Sequence, residues 1–171
     1  MMKKYFFLFV FALSMLSSCN FKETTTTYYL IRHAEKDRTD KTNRNPNLNK
    51  DGLKRAENWK NYFKDIDLDA VYSTNYNRTQ QTATPTAKSK NLEILSYDPR
   101  DMFNDEFQKN TSGKITLIVG HSNTTPQFAN KILKMDAYES MSDDDNASLY
   151  MISLKKSFRN KTTSTKILKI D

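Results

Sequence analysis

The sequence predicts an α/β fold: three layers, α/β/α, around a mainly parallel central sheet with room for an antiparallel edge strand. Three observations predict it. From Tyr28 onward short apolar or β-branched runs alternate with amphipathic helical stretches, the order that builds parallel sheets. The run "ITLIVG", Ile115 to Gly120, is continuously apolar, as a central strand buried on both faces must be. The chain has 171 residues and no internal repeat, enough for one domain with a real core and too few for two.

Each element follows in order. "YYLIR" at Tyr28–Arg32 is a short buried strand. "DRTDKTNRNPNLN" is a polar loop without apolar periodicity. "KDGLKRAENWKNYF" puts Leu53, Ala56, Trp59 and Phe63 on one helical face, with Asn49 as cap and Asp51 in the first turn. "DAVYST" is the second strand. "NYNRTQQTATPTAKSK" starts a helix that Pro85 is expected to kink or interrupt. "LEILSY" is the third strand and "ITLIVG" the fourth. "TTPQFANKIL" is a helix capped by Thr124 or Thr125, with Pro126 near its first turn. "ASLYMISL" and "TKILKI" close the sheet, joined by the polar stretch "KKSFRNKTTS". The run "SDDD" at Ser142–Asp145 reads as a solvated loop, because calcium loops need ligands at a fixed alternation.

The first residues stand apart from this domain. "MMKK" followed by "YFFLFVFALSML" is a charged n-region and an apolar h-region too short for a comfortable membrane span. "LSSC" at Leu16–Cys19 resembles the bacterial lipobox, whose cysteine is lipidated and becomes the mature N-terminus. Cys19 is the chain's one cysteine, so no intrachain disulfide is expected. The organisation read from this is a lipoprotein signal peptide over 1–18, a polar tether over 19–27 and a domain over 28–171. The expected location is the bacterial cell envelope, at the outer membrane or the periplasmic face, with the membrane reached only through the lipid on Cys19. The net charge is +7, but the lysines are spread along the chain and no nucleic-acid motif appears, so nucleic acid is not the expected partner. A basic surface weakly favours anionic substrates.

The chain has two histidines, and both follow strands. His33 comes after Arg32 at the end of the first; His121 comes after Gly120 at the end of the fourth. Arg78 lies near the start of the helix after the second. Ligands of open α/β sheets bind at the carboxyl ends of the strands. If these strands are neighbours, two imidazoles and two guanidiniums converge there. Guanidiniums stay charged and offer forked donors that match phosphate oxygens. They would repel a cation, and no carboxylate cluster accompanies the histidines, so a metal site is disfavoured. A neutral imidazole in such a setting is a nucleophile for phosphorus. A second can donate to the transferring oxyanions.

These segments resemble those of the histidine phosphatase superfamily, which includes cofactor-dependent phosphoglycerate mutases, acid phosphatases and small phosphohistidine phosphatases. "LIRHAEK" matches its Arg-His turn. "LNKDGLKRA" is similar to its "LTxxGxxRA" helix start, with Asn49 in place of the usual threonine. "YSTNYNRTQQTA" and "IVGHSNTTPQF" are similar to its next two motifs, and the likeness runs from about Tyr28 to Met135. The resemblance implies a phosphoglycerate mutase-like fold and a metal-independent hydrolase of the histidine acid phosphatase type, without cofactor. It implies His33 as the nucleophile that becomes a phosphohistidine, and Arg32, Arg78 and His121 as phosphate ligands. For the proton donor to the leaving group it points just past the third strand. Asp98 is the first choice, with Asp101, Asp105, Glu106 and Glu35 as alternatives. The implied substrate is a phosphorylated small molecule or a phosphoprotein. Only 42 residues separate Arg78 from His121, too few for a sizeable cap, so an open site is expected. Two other readings stand beside the hydrolase: a catalytically weak phosphate- or anion-binding lipoprotein, and a phosphomutase or phosphotransferase. The mutase fits an open site less well, since retaining a phosphoryl group requires excluding water.

Overall fold

The computed structural model describes residues 23–157 and 160–170. The expected signal peptide, Cys19 and residues 20–22 of the expected tether lie outside the described residues. Among the described residues six strands and four helices follow one another along the chain. They are β1 (Thr24–Arg32), α1 (Lys50–Tyr62), β2 (Ala70–Ser73), α2 (Asn77–Ser89), β3 (Ile94–Ser96), α3 (Asp105–Thr111), β4 (Ile115–Gly120), α4 (Thr124–Leu133), β5 (Ser148–Lys156) and β6 (Lys161–Lys169). They form one sheet in the order β3-β2-β4-β1-β5-β6. The first four strands of that order are mutually parallel. β5 and β6 run antiparallel, so the antiparallel part is two strands rather than one.

Both sheet faces are covered, which makes the three layers. Successive strand residues point to opposite sides, and the buried residues sort accordingly. Tyr29, Ile31, Val71, Leu117 and Val119 pack with Trp59 and Phe63 of the α1 end and Ala83 of α2. Tyr28, Leu30 and Ile118 pack on the other face with Phe107 of α3 and Phe128 and Ile132 of α4. Each fully buried large apolar side chain contributes about 1.5–3 kcal/mol relative to exposure.

Several boundaries differ from expectation. β1 begins at Thr24, four residues early. Thr24–Thr27 pair with Lys156–Ser153 of β5, so the polar tether ends sooner than residue 27. Threonine is β-branched and suits a strand even where hydropathy reads low. Pro85 does not interrupt α2, which runs through it to Ser89. In α1 the buried face holds Gly52, Ala56 and Trp59, while Leu53 is 53% exposed. α3 was not expected. Asn104 caps it by accepting from the Phe107 N–H. The expected threonine cap of α4 is instead Asn123, which makes no side-chain cap bond. β4, and α4 from Thr124 to Leu133, keep the expected bounds. β6 is longer than "TKILKI" and lies exposed at the sheet edge.

Candidate active site

The sheet register brings the two histidines together. Arg32, the last residue of β1, pairs with Gly120, the last of β4. The next residue on each strand is a histidine, and His33 N–H donates to the Gly120 carbonyl at 2.9 Å. The imidazole rings lie edge to face with centroids 5.4 Å apart. On the other side of β4, Ser73 pairs with Val119, so Thr74 and the first turn of α2 stand beside His121. That turn carries Arg78, whose Nη2 lies 3.4 Å from His121 Nδ1. A cavity of about 370 Å³ is lined by Arg32, His33, Arg78 and His121 together with Lys36 and Asp143. The four residues singled out from sequence-distant strand ends do meet.

His33 is held on three sides. Its Nδ1–H donates to the Ala34 carbonyl at 2.7 Å, which fixes the tautomer and leaves the Nε2 lone pair free. Its own carbonyl accepts from Asn146 Nδ2 at 2.8 Å, and the next N–H donates to Thr82 Oγ1. Burial, with help from His121, Arg78 and Arg32, holds its pKa down to about 3 against the opposing Ala34 bond. The ring is therefore neutral at ordinary pH.

His121 accepts at Nδ1 from Arg78, so its Nε2–H donates to Thr74 Oγ1 at 2.9 Å. Thr74 passes its hydroxyl hydrogen to Thr79 Oγ1. Burial, then Arg78, Arg32 and Lys36, lower the His121 pKa to about 4. The sequence reading makes His121 a donor to the oxyanions; this pKa leaves its ring neutral at ordinary pH. An anion between the rings would reverse that push, since nearby negative charge favours the protonated form.

The two arginines are anchored differently. Arg32 is buried, and its Nη1 donates to the carbonyls of Ser142, Asp143 and Asp145. Its Nη2 pairs with the Asp143 carboxylate at 3.1 Å. Arg78 lies 4.5 Å over the Tyr76 ring and donates to the Arg44 carbonyl. The Nε atoms of both arginines are buried and have no hydrogen-bond partner. Buried unpaired donors are costly, and the two arginines that carry them line the histidine cavity. An anion there can accept from both guanidiniums.

The expected proton donor is not among these residues. Asp98 is exposed and its carboxylate takes two bonds from the Arg100 guanidinium, which hold its pKa below the ordinary carboxyl value. It lines a separate cavity with Asp101 and Glu106. Asp101 accepts from Asn104, and Asp105 and Glu106 sit in the first turn of α3. Glu35 pairs with Arg55 at 2.8 Å. None of these five lines the histidine cavity. The acidic run beyond Ser142 does reach it. Its carbonyls dock Arg32, Asp143 joins Arg32 to Arg38, and Asn146 holds His33. The only signal of this in the sequence is a polar run just before a strand.

Gly52 explains how α1 joins the site. An added Cβ would sit 2.1 Å from the Glu35 carbonyl oxygen, so the helix start presses on the segment after His33. Asn49 N–H donates to that same carbonyl, and Asn49 Oδ1 accepts from Gly52 N–H. Among the described residues no group of three or more His, Cys, Asp or Glu gathers as a metal set.

Residues 28–100 match the model of the histidine phosphatase superfamily, branch 1. The match covers 73 of the 171 residues, less than half of the chain. The matched span includes the Arg-His turn, the α1 start and Arg78; His121 lies beyond it. No curated relative matches at the sequence level. Solved structures share the fold. Mycobacterial glucosyl-3-phosphoglycerate phosphatase superposes with a TM-score of 0.63 at 11% identity, over 86% of this chain and 100% of that one. A chain from Agrobacterium tumefaciens assigned to the phosphohistidine phosphatase SixA gives 0.55 at 19%, over 80% and 97%. A phosphoserine phosphatase mutant of Entamoeba histolytica, bound to phosphoserine, gives 0.59 at 13%, over 81% and 95%. At these identities the likeness is one of fold.

Proposed function

We propose that this chain is a member of the histidine phosphatase superfamily and a phosphohydrolase for a phosphomonoester or a phosphoprotein, working through a phosphohistidine on His33. One observation carries the reading. His33 presents a neutral ring with its Nδ1–H committed to Ala34, 5.4 Å from His121, in a cavity bordered by Arg32 and Arg78. The Nε2 lone pair attacks phosphorus. Arg32 and Arg78 draw in the equatorial oxygens, and His121, once the bound anion favours its protonated form, adds a donor at Nδ1 and helps offset their charge. The Nδ1–H···O=C bond to Ala34 steadies the ring as it takes on positive charge. Water then releases inorganic phosphate. The superposed structures whose names specify phosphorylated substrates agree with this class of substrate. The lipobox reading of Cys19 places the enzyme on the cell envelope as a lipoprotein.

Turnover of p-nitrophenyl phosphate across pH, with His33→Ala beside it, tests the reading. The substitution is expected to abolish turnover. In the free wild type the acid limb of kcat/KM belongs well below the ordinary histidine pKa, because protonation removes the nucleophile and the His33 pKa is lowered to about 3. Background release by both proteins would instead favour an anion-binding protein, the reading supported by the lack of the expected carboxylates from the cavity lining.

A further inference from the structure

The phosphohydrolase reading leaves one proton without a source, the one an alcohol needs as its P–O bond breaks. Few groups at the cavity can supply it. Guanidiniums do not release protons. His33 is the attacking group, and His121 already donates its Nε2–H to Thr74. Asp143 is shared between Arg32 and Arg38, which hold its carboxylate ionised. Tyr76 lines this cavity but not the cleft beside it, and Glu35, paired with Arg55, lines that cleft but not this cavity. Lys36 remains.

Its position suits the task. Lys36 lines the histidine cavity and also an adjoining cleft of about 860 Å³, and His33 and Asp143 border both. A substrate with its phosphoryl group at His33 and its alcohol part in the larger cleft passes Lys36 near the ester oxygen. The backbone there is fixed by a bridge between Lys36 and Leu48. Among the described residues the half-buried Lys36 has no ion-pair partner. The charged and titratable groups facing it are Arg38 on its own segment, Arg32 at the end of β1, Arg78 on α2, His121 after β4 and Asp143 before β5. Burial first, then the three guanidiniums, lower the ammonium pKa, with Asp143 opposing. That direction eases release of a proton.

We propose that Lys36 is the general acid and base of the reaction, protonating the leaving oxygen and later deprotonating the attacking water. The inference rests on the phosphohydrolase reading. In the first step the His33 Nε2 lone pair forms the N–P bond and the P–O bond breaks. The bonding pair goes to the alcohol oxygen, which takes a proton from Lys36 Nζ. In the second step water oxygen bonds to phosphorus, its proton returns to Nζ, and the N–P bond breaks to give inorganic phosphate.

Two substrates separate this role from simple charge attraction. p-Nitrophenolate departs without a proton, whereas the alkoxide of glycerol 2-phosphate does not. Lys36→Met is expected to lower kcat/KM for glycerol 2-phosphate by roughly 10²- to 10⁴-fold and to lower that for p-nitrophenyl phosphate far less. Lys36→Arg keeps the charge but not the labile proton, and should not restore glycerol 2-phosphate turnover. Retained affinity for inorganic phosphate shows that each variant is folded. Equal losses on both substrates, or rescue by Lys36→Arg, overturn the proposal. Wild-type protein that cleaves only p-nitrophenyl phosphate overturns it too, and leaves the phosphohydrolase reading standing. Wild type inert on both overturns both.

Discussion

At the scale of single residues, the site depends on contacts that sequence distance hides. Asn146 is 113 positions from His33, yet its Nδ2 holds the His33 carbonyl at 2.8 Å inside a buried pocket. Asn146→Ala leaves that carbonyl unpaired, costing about 1–3 kcal/mol of stability. A loosened imidazole is expected to cost roughly 10- to 100-fold in kcat, since an ångström of misplacement is of that order. Thermal unfolding and steady-state kinetics with p-nitrophenyl phosphate check the two parts. Arg32, His33, Arg78 and His121 were legible because each follows a strand end or opens a helix, positions that topology brings together. Asn146 was not, because a polar residue in an acidic run reads as solvated. Asp98 misled for a local reason: it does follow β3, but Arg100, two residues on, captures its carboxylate.

At the scale of elements, the start of α1 is the tightest joint near the site. Gly52 lies against the Glu35 backbone, two residues past His33, with no room for a methyl group. Gly52→Ala must push α1 away or shift the segment carrying His33 and Lys36. Overpacking of this kind costs about 1–3 kcal/mol. A lower unfolding midpoint is expected, together with a fall in kcat/KM for p-nitrophenyl phosphate; an unchanged midpoint would mean the helix start yields freely. α1 was legible from its 3.6-residue pattern and its Asn49 cap, and β4 from its unbroken apolar run. α3 was not, since seven residues give too few turns for a pattern. The threonine-rich start of β1 and the first four residues of β6, Lys161–Ser164, were missed because strand pairing, not hydropathy, makes them strand.

At the scale of the molecule, β1 separates chain entry from chemistry. It enters the sheet at Thr24 and delivers Arg32 to the site eight residues later. At about 3.3 Å per residue the strand spans roughly 30 Å. Among the described residues no helix is long and apolar enough to cross a membrane. Cys19 lies five residues before Thr24. A lipid there would hold the β1 entry end near the membrane and turn the cavity toward the aqueous side, open to soluble phosphoesters. Cys19→Ser should then move the protein from the membrane pellet to the soluble fraction and abolish labelling by radioactive palmitate. Turnover of p-nitrophenyl phosphate should stay the same, because the reacting residues lie at the far end of β1. Equal membrane association of both proteins would place the attachment elsewhere. Solubilisation with a large loss of turnover would mean that the two ends of the strand are coupled.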